Sequence, residues 1–204
     1  MTKLFHSSRM QLYFNSNNSK IIKEINGYSD NTLLGLNANT HSDTLAEKFK
    51  IGKLVLDKEG CENIDNVKKV FNHPNRRFDF SQRGVQTEFA IFKIPFNGDK
   101  DLFLQHPIKY RNPLTVQAEI KAKELIAEIT ENTIFSGNEK LEKQIVRRFE
   151  EYFSIIEGYV NAINSDIDTY NAGLSEEIKK LLAIKIENAN TAAVTKSNLK
   201  PFKK

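Results

Sequence analysis

The chain has 204 residues, of which 39% are hydrophobic and 27% are charged, and its 30 basic residues stand against 26 acidic ones. These values are typical of one globular domain or two small ones, and so small a basic excess does not by itself indicate nucleic-acid binding. One cysteine excludes an internal disulfide, and no apolar run reaches the ~18 residues that cross a membrane, so we expect a cytoplasmic protein without membrane contact.

Short helices are predicted in the first quarter of the chain. Ser19, Ser29 and Ser42-Asp43 are of the residue types that cap helix N-termini, and each precedes a segment with helical spacing of apolar residues. Short runs of β-prone residues follow at 53–56 and at 67–71.

The strongest strand signal extends from Thr87 to Gln105. A nearly continuous apolar run from Phe89 to Phe96 is followed by Asn97-Gly98, the pair that most readily forms a type I′ turn. We therefore predict a central β-hairpin over 87–106. Residues 114–130 fit both a helix and two short strands, and their alternation of apolar and polar residues favours the two strands.

The last third of the chain has the period of a long amphipathic helix. Apolar residues recur every three or four positions from Leu141 to Leu174, and Ser136 with Glu139 has the spacing of a capping box. Asn171-Ala-Gly173 predicts an interruption, either a kink or a reversal, and we expect a helical hairpin.

Together these elements predict an α+β fold with a mainly antiparallel sheet, small N-terminal helices and a long C-terminal helical hairpin. Residues 1–135 would form a mixed α/β region around the β-hairpin, and residues 136–194 would form the helical hairpin packed on it. Residues 195–204 would form a basic, mobile tail.

The apolar stripe of the long helix supports the first functional hypothesis, association. A helix over 137–171 would be roughly 50 Å long, which exceeds the width of a small domain, so part of its stripe is expected to contact a protein partner or a second copy. The predicted interface consists of Phe149, Tyr152, Ile156, Val160, Ile163, Ile167 and Tyr170.

Basic residues support an alternative, nucleic-acid binding. Guanidinium groups interleaved with aromatic rings can neutralise phosphates and stack on bases, although nearby acidic residues suit an ordinary solvated face equally well. The candidate residues are Arg76, Arg77, Arg83, Arg147 and Arg148.

A metal-dependent nuclease is the second alternative. Glu119 and Lys121 have the E-x-K spacing of restriction-endonuclease-type cores, and Asp99 and Asp101 could complete a divalent-metal site. The same residues also fit a charged strand face and a charged turn. The four histidines and Cys61 have no spacing that forms a local site, so the sequence predicts no catalytic residue, cofactor or metal.

A set of short motifs resembles the amino-terminal region of some uncharacterised bacterial proteins. The motifs are Leu4-Phe-His-Ser-Ser-Arg9, Phe78-Asp-Phe80, Ile94-Pro-Phe-Asn-Gly-Asp99, Leu102-Phe103, Pro107 and Tyr170-Asn171-x-x-Leu174. In that group the region often precedes an effector or nuclease-type domain, and a defence role is suspected. The resemblance, over about residues 4–187, implies a sensing, regulatory or scaffold module and carries over no active-site residue.

We therefore expect a non-enzymatic interaction, sensing or regulatory module that associates through its long C-terminal helices. A protein partner or a homo-oligomer is the expected assembly, and nucleic acid is the alternative partner.

Overall fold

The computed structural model describes residues 1–71, 85–109 and 116–199. Contacts within the chain group it into two compact units, the first made of Met1–Arg9 and Lys53–Asn164, the second of Met10–Gly52 and Ser165–Lys204. This grouping differs from the predicted division between residues 135 and 136, because it follows contacts between residues that are distant in the sequence.

The first unit contains all the strands that the structure describes. They are β1 (Thr2–Lys3), β2 (Ser8–Arg9), β3 (Val55–Leu56), β4 (Glu62–Phe71), β5 (Val85–Asn97), β6 (Gln105–His106), β7 (Gln117–Ile120) and β8 (Glu124–Ile129). The helices are α1 (Met10–Asn26), α2 (Asp30–Gly35), α3 (Ala38–Phe49) and α4 (Glu139–Asn198), and α4 contributes its residues up to Asn164 to the first unit.

The main sheet is antiparallel and has β5 at its centre. Its order is β1-β7-β8-β5-β3, and β4 also pairs with β5. Along β5 the side chains of Ala90, Phe92, Ile94 and Phe96 are buried. This alternation marks one face of the strand as a core face, as expected for a strand with a period of two. The predicted α+β fold with a mainly antiparallel sheet is confirmed.

The predicted β-hairpin over 87–106 is wrong. After the turn at Gly98, which has a φ of 116°, the chain enters a short 3-10 helix over Lys100–Leu104. The Asp99 carboxylate accepts a hydrogen bond from the Asp101 amide and starts this helical turn. The following strand, β6, then pairs in parallel with β2, while β5 pairs with β3, β4 and β8.

Residues 114–130 contain two strands, as the alternation predicted. Strand β7 pairs with β8, and β8 pairs with β5 over Glu124 to Ile129. The expected strand at 67–71 is also present, but it begins earlier, at Glu62, because residues 62–66 continue the pairing with β5.

The first half of α4 covers the buried face of the sheet. Phe149 of the helix stacks on Phe92 of β5 with ring centroids 4.0 Å apart, and Tyr159 lies 5.0 Å from the ring of Phe5. Stacked aromatic pairs of this kind contribute beyond the area they bury.

The start of α4 depends on Asn138 rather than on the predicted capping box at Ser136. The Asn138 side chain accepts from the Leu141 amide, and Glu142 accepts from the Gly137 amide. Ser136 instead donates its hydroxyl to the buried carboxylate of Glu88. The Ser136 hydroxyl binds Glu88 rather than the helix start because a buried carboxylate without hydrogen bonds would cost free energy.

The second unit is helical and is built from α1, α2, α3 and the part of α4 that begins at Ser165. Its core consists of the buried side chains Ile21, Ile25, Leu45, Leu174, Ile178 and Leu182. The predicted cap at Ser29 is confirmed. The helix starts predicted at Ser19 and at Ser42-Asp43 are wrong. Helix α1 begins at Met10, and α3 begins after Asn37, whose side chain accepts from two backbone amides.

Helix α4 is continuous, so the predicted helical hairpin is also wrong. Asn171 uses its side-chain amide to bind both backbone groups of Ile51, at 2.9 and 3.0 Å, rather than ending the helix. Ser175 donates to the Asp43 carboxylate at 2.6 Å instead of capping a new helix. Packing of Leu174 in the core offsets the ~1 kcal/mol that glycine at 173 costs a helix.

The predicted tail is helical where it is described, because α4 continues through Asn198, and residues 200–204 lie outside the described part. Among the described helices, none has a stretch long and apolar enough to span a lipid bilayer.

Candidate binding cleft

A cleft of about 550 Å³ opens in the first unit between the start of β4 and the first half of α4. This volume is that of a typical ligand pocket. The residues that line it are Lys58, Cys61, Glu62, Asn63, Phe92, Val146, Phe149, Glu150, Phe153, Ser154 and Glu157.

Three phenylalanines form the floor of this cleft. Phe92 and Phe149 are stacked with an angle of 11° between their rings, and Phe153 lies 6.4 Å from Phe149, centroid to centroid. Residues 149 and 153 share a face because they are one helical turn apart. All three rings are largely buried, so they form a fixed apolar surface.

The α4 wall combines one exposed apolar side chain with two carboxylates. Val146 is 50% exposed, and Glu150 and Glu157 lie on the same side of the helix, where steps of three and four residues bring side chains together. Within the described part of the chain, neither carboxylate has an ion pair or a hydrogen bond. By contrast, Glu139 pairs with Lys143 at 2.6 Å and Glu151 pairs with Arg147 at 3.0 Å.

The opposite wall is the turn between β3 and β4. The Asp57 carboxylate accepts from the Gly60 amide at 3.0 Å and holds this turn. The Lys58 ammonium lies 6.0 Å from the centroid of the Phe153 ring, in the geometry of a cation–π contact. The carboxylate of Glu62 pairs with Lys93, which neutralises it.

Cys61 faces the cleft as a neutral thiol. Burial and the nearby charge of Asp57 both raise the pKa of this thiol, and Lys58 lowers it by a smaller amount. A cysteine nucleophile requires a lowered pKa, and the pKa of this thiol is shifted in the opposite direction. Its Sγ instead donates to the Asp57 carbonyl at 3.4 Å.

Most of the predicted interface residues are placed in the interior of the chain. Ile156, Ile163 and Ile167 have no exposed surface, and Val160 is 3% exposed. Helical periodicity predicted this stripe correctly but could not show what covers it. These side chains are therefore not available on the surface for a partner.

The three aromatic members of that predicted interface have other roles. Phe149 lies in the floor of the cleft. Tyr152 is half-buried, donates to the Gln117 carbonyl at 2.8 Å, and has its pKa raised by burial. Tyr170 belongs to the second unit, where it stacks on Phe14 with centroids 4.4 Å apart and donates to the Asn18 side chain at 2.6 Å.

Both described arginines of the nucleic-acid hypothesis form ion pairs with carboxylates. Arg147 pairs with Glu151, and Arg148 pairs with Glu131, so their charges are offset locally. Arg76, Arg77 and Arg83 lie outside the described residues.

The residues of the nuclease hypothesis take part in separate local contacts. Asp99 caps the 3-10 helix that contains Asp101, and Lys121 pairs with Glu124 at 3.3 Å. Glu119 is exposed on β7. Within residues 1–71, 85–109 and 116–199, no three histidine, cysteine, aspartate or glutamate side chains are close enough to hold a metal ion.

The sequence contained a partial signal for the cleft. Val146, Glu150 and Glu157 share a helical face, which periodicity can reveal. Lys58 and Cys61 join them only through the fold, because almost ninety positions separate Lys58 from Val146 in the sequence.

The cleft is therefore identified as the candidate site by its volume and its lining residues. Comparison of the chain with protein-family models, with curated proteins and with solved structures found no match.

Proposed function

We propose that this chain is a non-enzymatic interaction module that binds a partner protein in the cleft beside α4. The observation that carries the proposal is a pair of carboxylates, Glu150 and Glu157, that have no ion pair among the described residues. They lie next to the exposed side chain of Val146 and above a phenylalanine floor. Apolar surface surrounded by a few directed polar groups is the usual composition of a protein-binding site.

In this proposal α4 contributes to association, as its length suggested, but through its cleft wall instead of its apolar stripe. The buried stripe stabilises the fold, while the neighbouring face from Val146 to Glu157 forms one wall of the cleft. A short peptide of the partner suits this site better than a broad flat surface does, because the cleft is concave and about 550 Å³ in volume.

We retain a cytoplasmic location and a role in bacterial defence as parts of this proposal. The defence role has its basis in the motif resemblance, and the identity of the partner would decide it.

Selection from a random peptide library tests the proposal. The full chain would be the target, and alkylation of its single cysteine, Cys61, would report whether the cleft is occupied. Ser154→Trp places an indole in the cleft from an exposed helix position, and Ile155→Trp places the same group at a neighbouring exposed position that does not line it.

We expect selected peptides to slow the alkylation of Cys61 and to bind the Ser154→Trp variant at least about tenfold more weakly than the parent, because the indole fills their site. Binding to Ile155→Trp should match that of the parent. Peptides that bind all three proteins equally and leave Cys61 reactive would contradict the proposal.

A further inference from the structure

We propose that the cleft recognises an extended segment of a separate partner protein in which an aromatic side chain lies between two basic residues three positions apart. This inference rests on the interaction function proposed above and specifies the chemistry of the partner.

The charges of the cleft select a basic segment. Among the described residues that line it, Glu62, Glu150 and Glu157 carry carboxylates and Lys58 carries an ammonium group. Lys93 neutralises Glu62, so the lining that the structure describes keeps two carboxylates without an ion pair and one cation. Complementary charges favour a ligand with two positive groups near α4.

The distance between the Glu150 and Glu157 carboxylates indicates the distance expected between the two positive groups of the ligand. Glu150 and Glu157 are seven residues apart on a helix, so they are about 10 Å apart along its axis at 1.5 Å per residue. A peptide in the polyproline II conformation advances about 3.1 Å per residue and has three residues per turn, so side chains three positions apart lie on one face and span about 9 Å. Lysine or arginine at positions i and i+3 therefore matches the two carboxylates.

The floor selects the side chain between the two cations. Phe92, Phe149 and Phe153 present fixed ring surfaces, and Val146 adds an exposed apolar group at the edge. An aromatic ring buries a large area at a small cost in conformational entropy and packs well against other rings.

This chain itself contains the pattern at Lys200-Pro-Phe-Lys203, which lies outside the described residues. A second copy is therefore the alternative occupant that the experiment must separate from another protein.

Fluorescence anisotropy with a labelled peptide Gly-Lys-Ala-Phe-Lys-Gly tests the inference on the full chain. Three control peptides isolate each feature: one replaces phenylalanine by alanine, one replaces both lysines by glutamine, and one keeps the composition but makes the lysines adjacent, Gly-Lys-Lys-Phe-Ala-Gly. The protein variants are Glu150→Gln with Glu157→Gln, and the charge-matched control Glu139→Gln with Glu176→Gln, whose residues lie on α4 outside the cleft.

We expect the first peptide to bind more tightly than every control, with a loss of about tenfold when the phenylalanine is removed. The cleft double variant should bind about tenfold more weakly, since two exposed ion pairs are lost, and the control variant should be unaffected. Lys58→Gln should strengthen binding about twofold, and added salt should weaken it. Equal binding of all four peptides, or no effect of the cleft variant, would overturn the inference.

Failure here is distinguishable from failure of the proposed function. If library selection yields cleft-dependent peptides that lack the basic–aromatic–basic pattern, the inference is overturned while the interaction function stands. Light scattering tests whether a second copy occupies the cleft. If the parent is an oligomer and the Glu150→Gln, Glu157→Gln variant is a folded monomer, the proposal of a separate partner protein is overturned.

Discussion

Glu88 shows at the scale of one residue how a buried charge positions the helix that forms the cleft. The residue is 2% exposed, and its carboxylate accepts from the Phe135 amide at 2.9 Å, the Ser136 amide at 2.8 Å and the Ser136 hydroxyl at 2.5 Å. Burial raises its pKa, but these hydrogen bonds and the charge of Lys68 outweigh burial, so the pKa is lowered overall. Glu88 therefore connects β5 to the segment that leads into α4.

Replacing this carboxylate should destabilise the first unit. Glu88→Ala leaves three donors without a partner, and we expect a loss of about 2–3 kcal/mol in the free energy of unfolding, measured by urea titration with circular dichroism. Glu59→Gln, at an exposed position, is the control and should change the free energy by less than about 0.5 kcal/mol. An equal, small effect of both variants would show that the hydrogen bonds contribute little.

The same residue should make stability depend on pH. Because the folded-state pKa of Glu88 lies below the unfolded value of about 4.3, its contribution is present above that value and is lost as the pH falls through the folded-state pKa. We expect urea titrations between pH 5 and roughly pH 2 to show a shallower loss of stability for Glu88→Gln than for the parent. Identical slopes for both proteins would contradict a lowered pKa.

The reactivity of Cys61 should follow from its raised pKa. We expect its alkylation rate to rise with a midpoint above the ~8.5 of an unperturbed thiol. Asp57→Asn removes the nearby negative charge while keeping the oxygen that binds the Gly60 amide, so alkylation at pH 8 should become faster. Asp65→Asn, at another exposed aspartate, should leave the rate unchanged. A faster rate in both variants would instead indicate a general opening of the turn.

At the scale of the element, the continuity of α4 is decided by packing and side-chain hydrogen bonds rather than by intrinsic propensity. Gly158 and Gly173 both lie inside the helix, and an added Cβ at either position would meet no atom within 4 Å. At Gly98 the φ is positive, and an added Cβ would lie 2.6 Å from the Lys53 carbonyl oxygen. Replacing glycine by alanine is therefore expected to raise stability at Gly158 and Gly173 and to lower it at Gly98.

Gly173→Ala should stabilise the protein by about 0.5–1 kcal/mol, as should Gly158→Ala, because alanine favours a helix and restricts the unfolded chain. Gly98→Ala should destabilise it by about 2 kcal/mol or more, because of its backbone strain and the close contact. Urea titration of the three variants checks these signs. Destabilisation by Gly173→Ala would indicate that the helix ends there with a left-handed glycine, as the hairpin hypothesis required.

At the scale of the whole molecule, each of the two units has its own buried side chains on α4. In the first unit Asn164 binds both backbone groups of Leu54, at 2.7 and 2.9 Å, and Ile156 and Ile163 are fully buried. In the second unit Leu174, Ile178 and Leu182 form the core with α1 and α3. The stripe is therefore a folding determinant in both units.

Charges introduced into the stripe should unfold the protein rather than dissociate an assembly. Ile156→Glu with Ile163→Glu buries two carboxylates, and we expect a loss of several kcal/mol and of native circular dichroism. The matched control is Ile155→Glu with Ile184→Glu, at positions 42% and 57% exposed, which should remain folded. A folded monomer produced from an oligomeric parent by the first variant would restore the stripe as an interface.

The sequence by itself determined the features that depend on neighbouring residues. The period from Leu141 to Leu174 predicted a helix with one apolar face, the alternation within 114–130 predicted two strands, and Ser29 predicted a helix start. Each of these signals arises within a few residues, from side-chain direction or from a local hydrogen bond.

Only the tertiary structure decided which signals prevailed. Asn171 and Gly173 favour a helix end locally, but the hydrogen bonds of Asn171 to Ile51 and the burial of Leu174 keep the helix continuous. The cleft likewise joins Lys58 and Cys61 to Phe149 and neighbouring residues of α4. Contacts between residues so distant in the sequence depend on the whole fold, which no local pattern specifies.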